Sequence, residues 1–266
     1  MNFGDLTFRK EILVQDLVFN SAWAIDNYGE VVNDPHSVIN IRGQLGGLSN
    51  IVNQLTGTFH NHGAIHIEDT QARAFHNIGS FFNYNDIYIN NISQHAIVNG
   101  GVWNNKPGGS IDVNDATAPV DPTIFNSGGV FNNDGDIRLT NMQSIGLRND
   151  GVFNNNNLLQ IDSTRTSSAI RNLGTLNNNH HISLSNVNYS NGAMPFALMN
   201  DESSIIVNNS SITLAYNNGH GIHNKGTINS TSAIAKINMY YTDGDLYVND
   251  IGAVFEIREL HLSSIF

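Results

Sequence analysis

Leu147-Arg148-Asn149-Asp150-Gly151-Val152-Phe153-Asn154-Asn155, followed four residues later by Leu159-Gln160-Ile161, contains the three elements from which the whole chain is built. The first is an apolar-x-Asn triplet. Outward from Leu147 it recurs as Ile25-Asp26-Asn27, Ile51-Val52-Asn53, Phe75-His76-Asn77, Ile97-Val98-Asn99, Ile124-Phe125-Asn126, Ile170-Arg171-Asn172, Leu198-Met199-Asn200 and Ile222-His223-Asn224. The interval varies from 22 to 28 residues, as expected of repeats whose connecting loops absorb insertions. The second element, Gly-x-aromatic-polar-Asn, occupies residues 57–61, 79–83, 101–105, 129–133 and 151–155. A sixth copy at 174–178 has Leu176 in the aromatic position, and 226–230 is a degraded seventh. The third is a short alternating strand: Ile65-His66-Ile67, Ile87-Tyr88-Ile89, Ile111-Asp112-Val113, Ile137-Arg138-Leu139, Leu159-Gln160-Ile161, Ile182-Ser183-Leu184 and Ile212-Thr213-Leu214. Period two buries one face of each.

Short strands separated by Gly and Asn turns, without a helical periodicity, cannot form βαβ crossovers, so coiling is the remaining way to stack them in parallel. The predicted fold is all-β, a parallel β-helix of about nine to ten coils, stacked about 4.8 Å apart. Equivalent residues then fall in register. Phe59, Phe81, Trp103, Phe131 and Phe153 form an interior aromatic stack, and Ile65, Ile87, Ile111, Ile137, Leu159, Ile182 and Ile212 an aliphatic one. The triplet asparagines Asn27, Asn53, Asn77, Asn99, Asn126, Asn149, Asn172, Asn200 and Asn224 form a ladder, since an amide carries both donor and acceptor and can bond to its own copy in the next coil. Copies such as Asn154 to Asn157 are read as exposed turn residues.

Composition agrees. Asparagine accounts for 42 of 266 residues, only 13% are charged, and the 40% hydrophobic content is enough to support a packed core. A net charge of −11 without a Lys/Arg cluster leaves no footprint for nucleic acid. No apolar run reaches membrane-spanning length. The absence of cysteine rules out disulfides and thiolate sites, and is compatible with a secreted protein held by hydrogen-bonded ladders. Residues 12–24 superficially look like a signal peptide, but Gln15 and Asp16 interrupt the apolar run and Glu11 stands where positive charge is required, so an early strand is expected.

These repeats resemble the right-handed parallel β-helix repeats of bacterial surface and secreted proteins, a group that includes filamentous-haemagglutinin-like adhesins and the pectate-lyase-like superfamily. The resemblance covers about residues 21–250. It implies a right-handed coil, and secretion or cell-surface display by a bacterium.

Residues 1–20 and 251–266 are read as separate strand-like caps or docking segments flanking the β-helix of 21–250. Their apolar residues Phe3, Leu6, Phe8, Ile12, Val14, Phe255, Ile257, Leu260, Leu262 and Phe266 are the candidates for end-to-end self-association, because terminal coils expose strand edges that must be covered.

Candidate chemistry is sparse. Gly219-His220-Gly221 matches three residues of polygalacturonase-like hydrolases, but the carboxylate segments needed for glycoside cleavage are missing, and a turn before Ile222 is the simpler reading. Asp134-Gly135-Asp136 and Asp243-Gly244-Asp245 lack the further oxygen ligands of a calcium loop. His60 and His62 alternate on one strand and could meet a transition metal. Their counterparts Phe82, Asn104, Tyr84 and Lys106 make that column a variable surface, so no metal or other cofactor is expected and protonation near pH 6 is the foreseen consequence. Outward Phe82, Tyr84, Tyr88 and Phe125 could form a strip for protein contact or for stacking sugars of cell-surface glycans or matrix. The expected function is a non-enzymatic extracellular structural or adhesive protein, with a carbohydrate-active β-helix enzyme or sugar-binding module as the alternative.

Overall fold

The computed structural model describes residues 1–16, 23–188, 195–240 and 244–263, and all regular structure in them is β. Every strand pairing is parallel, and the strands form three sheets of 11, 11 and 10 members; each coil contributes one strand to each sheet, except that the first joins the triplet sheet by the single bridge of Asn2 to Asn27. This is a parallel β-solenoid of about 10 turns. The triplet sheet contains strands such as Ile97–Asn99, the aromatic sheet strands such as Val102–Asn105, and the aliphatic sheet strands such as Ser110–Ala116. Registers follow the repeat residue for residue: Ile97 pairs with Ile124, Trp103 with Phe131, and Ile111 with Ile137.

The core is a set of continuous columns. Phe59, Phe81, Trp103, Phe131 and Phe153 stack with ring centroids 4.8, 4.1, 5.7 and 4.9 Å apart and are all but inaccessible. The aliphatic column from Ile65 to Ile212 is equally buried. Among the described residues the Trp103 Nε1–H lacks a hydrogen-bond partner, because stacked rings surround it.

Two backbone features account for the spacing. A Cβ on Gly79, Gly101, Gly151 or Gly174 would lie 2.1–2.2 Å from the carbonyl oxygen of the equivalent glycine one coil earlier, which is why the aromatic element opens with glycine. A second column, Asp16, Gly43, Asp69, Asn91, Asp115, Asn141, Ser163, Asn186 and Tyr216, lies in the left-handed region, with φ between 51° and 68°. Asp and Asn tolerate that conformation better than other side-chain-bearing residues. It turns each aliphatic strand through a corner, so that two outward residues precede the next inward one, as in Glu68-Asp69 before buried Thr70.

The terminal segments differ from the expectation of separate caps. Asn2 bridges to Asn27, Asp5–Phe8 pairs with Glu30–Asn33, and Ile12–Gln15 pairs with Val38–Arg42, so residues 2–15 are the first coil. At the other end Tyr247–Asn249, Val254–Glu256 and Leu260–Ser263 complete the last coil in the same order of sheets. The alternation that made these segments look strand-like is the alternation of the repeat itself. Phe266 lies outside the described residues.

Candidate functional site

The asparagine ladder begins one coil before the nine predicted members and ends one coil after them. From Asn2 through Asn27, Asn53, Asn77, Asn99, Asn126, Asn149, Asn172, Asn200 and Asn224 to Asn249, each Nδ2 donates to the Oδ1 of the next at 2.8–2.9 Å. The remaining amide proton bonds backbone: Asn126 Nδ2 lies 3.0 Å from both Gly129 O and Val152 O. Carbonyl partners can only accept, which fixes the amide orientation. All donors point toward the last coil.

A second buried ladder, not foreseen, runs parallel to the first through the asparagine that closes the Gly-x-aromatic-polar-Asn element. Asn33, Asn61, Asn83, Asn105, Asn133, Asn155, Asn178 and Asn208 bond at 2.7–2.9 Å in the same sense. Period two from the buried aromatic residue places this asparagine inward, so the signal was present in the motif. This ladder is finished inside the molecule: the Ser37 hydroxyl donates to Asn33 Oδ1, and Asn208 Nδ2 donates to Lys236 O at 3.2 Å. Beyond it, the same column holds Phe8 in the first coil.

The reading of Asn154 to Asn157 as turn residues holds for Asn156 and Asn157, which form the bend between Val152–Asn155 and Leu158–Thr164, and is corrected for Asn154 and Asn155. Asn155 belongs to the second inner ladder. Asn154 joins an outer one, in which Asn132 donates to Asn104, Asn154 to Asn132 and Asn177 to Asn154 at 2.8–2.9 Å. Asn156 donates to Asp134 at 2.7 Å, Asn179 to Asn156 and Asn209 to Asn179 at 2.8 Å. The outer donors of both rows point toward the first coil, opposite to the inner ones; in the second row the first acceptor is the Asp134 carboxylate, which can only accept.

The residues of the predicted aromatic strip are divided among the three sheets. His60 and Phe82 lie parallel at 4.9 Å, His62 and Tyr84 at 4.4 Å, and Lys106 Nζ covers Phe82 at 5.6 Å, so one face of each ring is occupied. Tyr88 belongs to the aliphatic sheet and meets His66 edge-on, while Phe125 belongs to the triplet sheet beneath the Arg148 guanidinium at 4.9 Å. Gly219-His220-Gly221 is also corrected: His220 and Gly221 are in the strand His220–Asn224 rather than a turn, and His220 stacks on Phe196 at 4.6 Å. A Cβ on Gly221 would lie 2.2 Å from Leu246 O, so the glycine serves the packing of adjacent coils. Asp243 lies outside the described residues.

His60 and His62 have parallel rings 6.1 Å apart, and no group of three or more His, Asp or Glu suited to a metal occurs among the described residues. Burial lowers the His60 pKa, opposed by Glu30. Burial also lowers those of His76 and His95, with the Arg73 cation acting in the same direction on both. The His95 ring is held 2.6 Å from Pro122 O. Acidic side chains are distributed among separate ion pairs, Arg148 with Asp150 and Arg171 with Asp201, each at 2.7 Å.

The end faces gather the predicted assembly residues. At the first coil Leu6, Phe8, Ile12, Val14 and Ala24 line an open cavity of about 220 Å³, the mouth of the core columns. At the last coil Phe255 stacks on Tyr247 at 4.0 Å, Ile257 packs against the core, and Leu260 and Leu262 continue the aliphatic columns of Ile237 and Met239. Burial pushes the Tyr247 phenol up to about 12. Phe3 is 73% exposed; one face of its ring stacks on Tyr28 at 4.9 Å.

No family model, curated protein or solved structure matches the chain. No helix among the described residues is long and apolar enough to cross a membrane.

Proposed function

We propose that this chain is a non-enzymatic structural or adhesive module of the bacterial cell exterior, a solenoid rod whose stacks associate end to end. The observation that carries this reading is that the core columns and the first asparagine ladder run from the first coil to the last, and that among the described residues no segment folds over either end face. The terminal strands Asp5–Phe8, Ile12–Gln15, Val254–Glu256 and Leu260–Ser263 contain neither lysine nor proline, the residues that commonly blunt a free edge. The likeness of the repeat to filamentous-haemagglutinin-like adhesins points the same way.

A carbohydrate-active role asks for convergent carboxylates or exposed ring faces. The acidic side chains spread over separate ion pairs, and the partly covered rings, favour the structural role instead.

Negative-stain microscopy and light scattering of the purified chain test the reading. Elongated particles whose length grows with concentration are expected. Particles one rod long at every concentration would overturn end-to-end association.

A further inference from the structure

The geometry points to a single joint between two copies of this chain, in which the first coil of one copy takes the place of an additional coil on the last coil of the other. This inference rests on the end-to-end reading above and specifies its partner, polarity and register.

Three independent features agree. The first is phase. The last coil runs through the triplet, aromatic and aliphatic sheets in that order, ending with Leu260–Ser263, and the first coil begins again in the triplet sheet with Asn2 before Asp5–Phe8 and Ile12–Gln15. All three sheets therefore continue across the joint without rotation.

The second is ladder polarity. Each internal asparagine donates from Nδ2 to the Oδ1 of the next coil, and Asn224 also donates to Val254 O at 2.8 Å. In the last coil Asn249 Nδ2 donates to Ala253 O at 3.0 Å, and its second proton, toward the open end, has no acceptor among the described residues. In the first coil Asn2 Oδ1 receives a single long contact, 3.3 Å from Gly4 N, and has a lone pair left. One face offers a donor and the other an acceptor. A head-to-head joint would set acceptor against acceptor.

The third is column chemistry. Continuing the observed registers places Phe255 over Leu6, Leu260 over Ile12 and Leu262 over Val14. In the column of the second ladder the joint sets Ile257 over Phe8, apolar on apolar. That ladder ends before either face, so it leaves no amide stranded between two copies.

Cysteine cross-linking tests the register, since the chain has no cysteine of its own. Thr7 and Glu256 occupy the same outward column, so the joint brings their Cα atoms about 4.8 Å apart, within disulfide range. Val254, two residues earlier on the same face, would lie roughly 8 Å from Thr7, beyond that range. Equimolar Thr7→Cys and Glu256→Cys chains, mixed under oxidised glutathione, are expected to convert mostly to covalent heterodimer. Thr7→Cys with Val254→Cys should give little, and Thr7→Cys alone none. Circular dichroism checks that each variant keeps its β structure. Concentration-dependent association with preferential cross-linking of the offset pair, or of Thr7→Cys with itself, would overturn this joint while leaving end-to-end association standing. Variants that stay monomeric and uncross-linked at all concentrations would overturn both.

Discussion

The inner and outer walls of the solenoid use the same residue at the same axial repeat to different effect. Inside, Asn126 is completely buried and its amide serves one side-chain and two backbone acceptors. Outside, Asn154 bonds only to its neighbours Asn132 and Asn177, and solvent can replace either partner. A buried donor left without an acceptor costs the full desolvation of that group, whereas an exposed one loses little. Burial, rather than the asparagine itself, makes a ladder structural.

The most severe way to probe this contrast is Asn126→Asp, which removes the donor and sets a carboxylate against Gly129 O and Val152 O. Unfolding in urea at pH 8 is expected to show a loss of about 3–5 kcal/mol, as for a buried charge without a partner. Part of this should return in acid, because the protonated acid can again donate one bond. Phe131→Ala, which empties the aromatic column between Trp103 and Phe153, should cost about 3–4 kcal/mol in the same assay. Trp103→Phe ought to stay within about 1 kcal/mol of wild type, since the smaller ring loses contacts but also removes an indole N–H without a partner among the described residues.

Buried His95 and partly buried His76 give a smaller, pH-dependent effect. Burial and Arg73 hold His76 and His95 below their ordinary value of 6.5, so the unfolded chain binds more protons than the folded one. Stability from this source is complete above pH 6.5 and declines as the pH falls through the lowered values. Asp121 and the Pro122 carbonyl oppose the shift at His95 only in part. Urea midpoints measured from pH 8 to 5 should fall, and His95→Gln should make the fall shallower. Least of all, Asn154→Ala is expected to change stability by under about 0.5 kcal/mol. A loss as large as that of an inner asparagine would erase the distinction between the walls.

Much of the interior was legible because burial restricts what a column will accept. The triplet ladder, the stack from Phe59 to Phe153 and the aliphatic column could each be followed by eye, since a polar or undersized residue at those positions would be costly. The second ladder was legible in principle from the alternation Phe153-Asn154-Asn155, yet the run of four asparagines there suggested a turn. The left-handed column was hidden because it mixes Asp, Asn, Ser, Gly and Tyr, united by backbone conformation rather than by a shared side chain. The outer rows were hidden for the opposite reason, for a solvated position constrains identity weakly. Residues 1–20 and 251–266 looked like caps or docking segments because the motif lapses there, with Leu6 in the aromatic column and Phe8 in that of the second ladder, and only strand pairing reveals 2–15 and 247–263 as coils.

The axial direction of the hydrogen bonds bears on how such a rod would answer a pull. Backbone bonds and inner amides alike run from coil to coil, so tension along the axis loads a whole coil at once, and yielding begins at an end rather than in the middle. Each coil released adds the 22–28 residues between successive members of the first ladder. At about 3.4 Å per extended residue, less the rise surrendered, that is a step of roughly 70–90 Å. A tether of this construction would lengthen in discrete steps under load, holding its force between them and keeping the remaining coils folded.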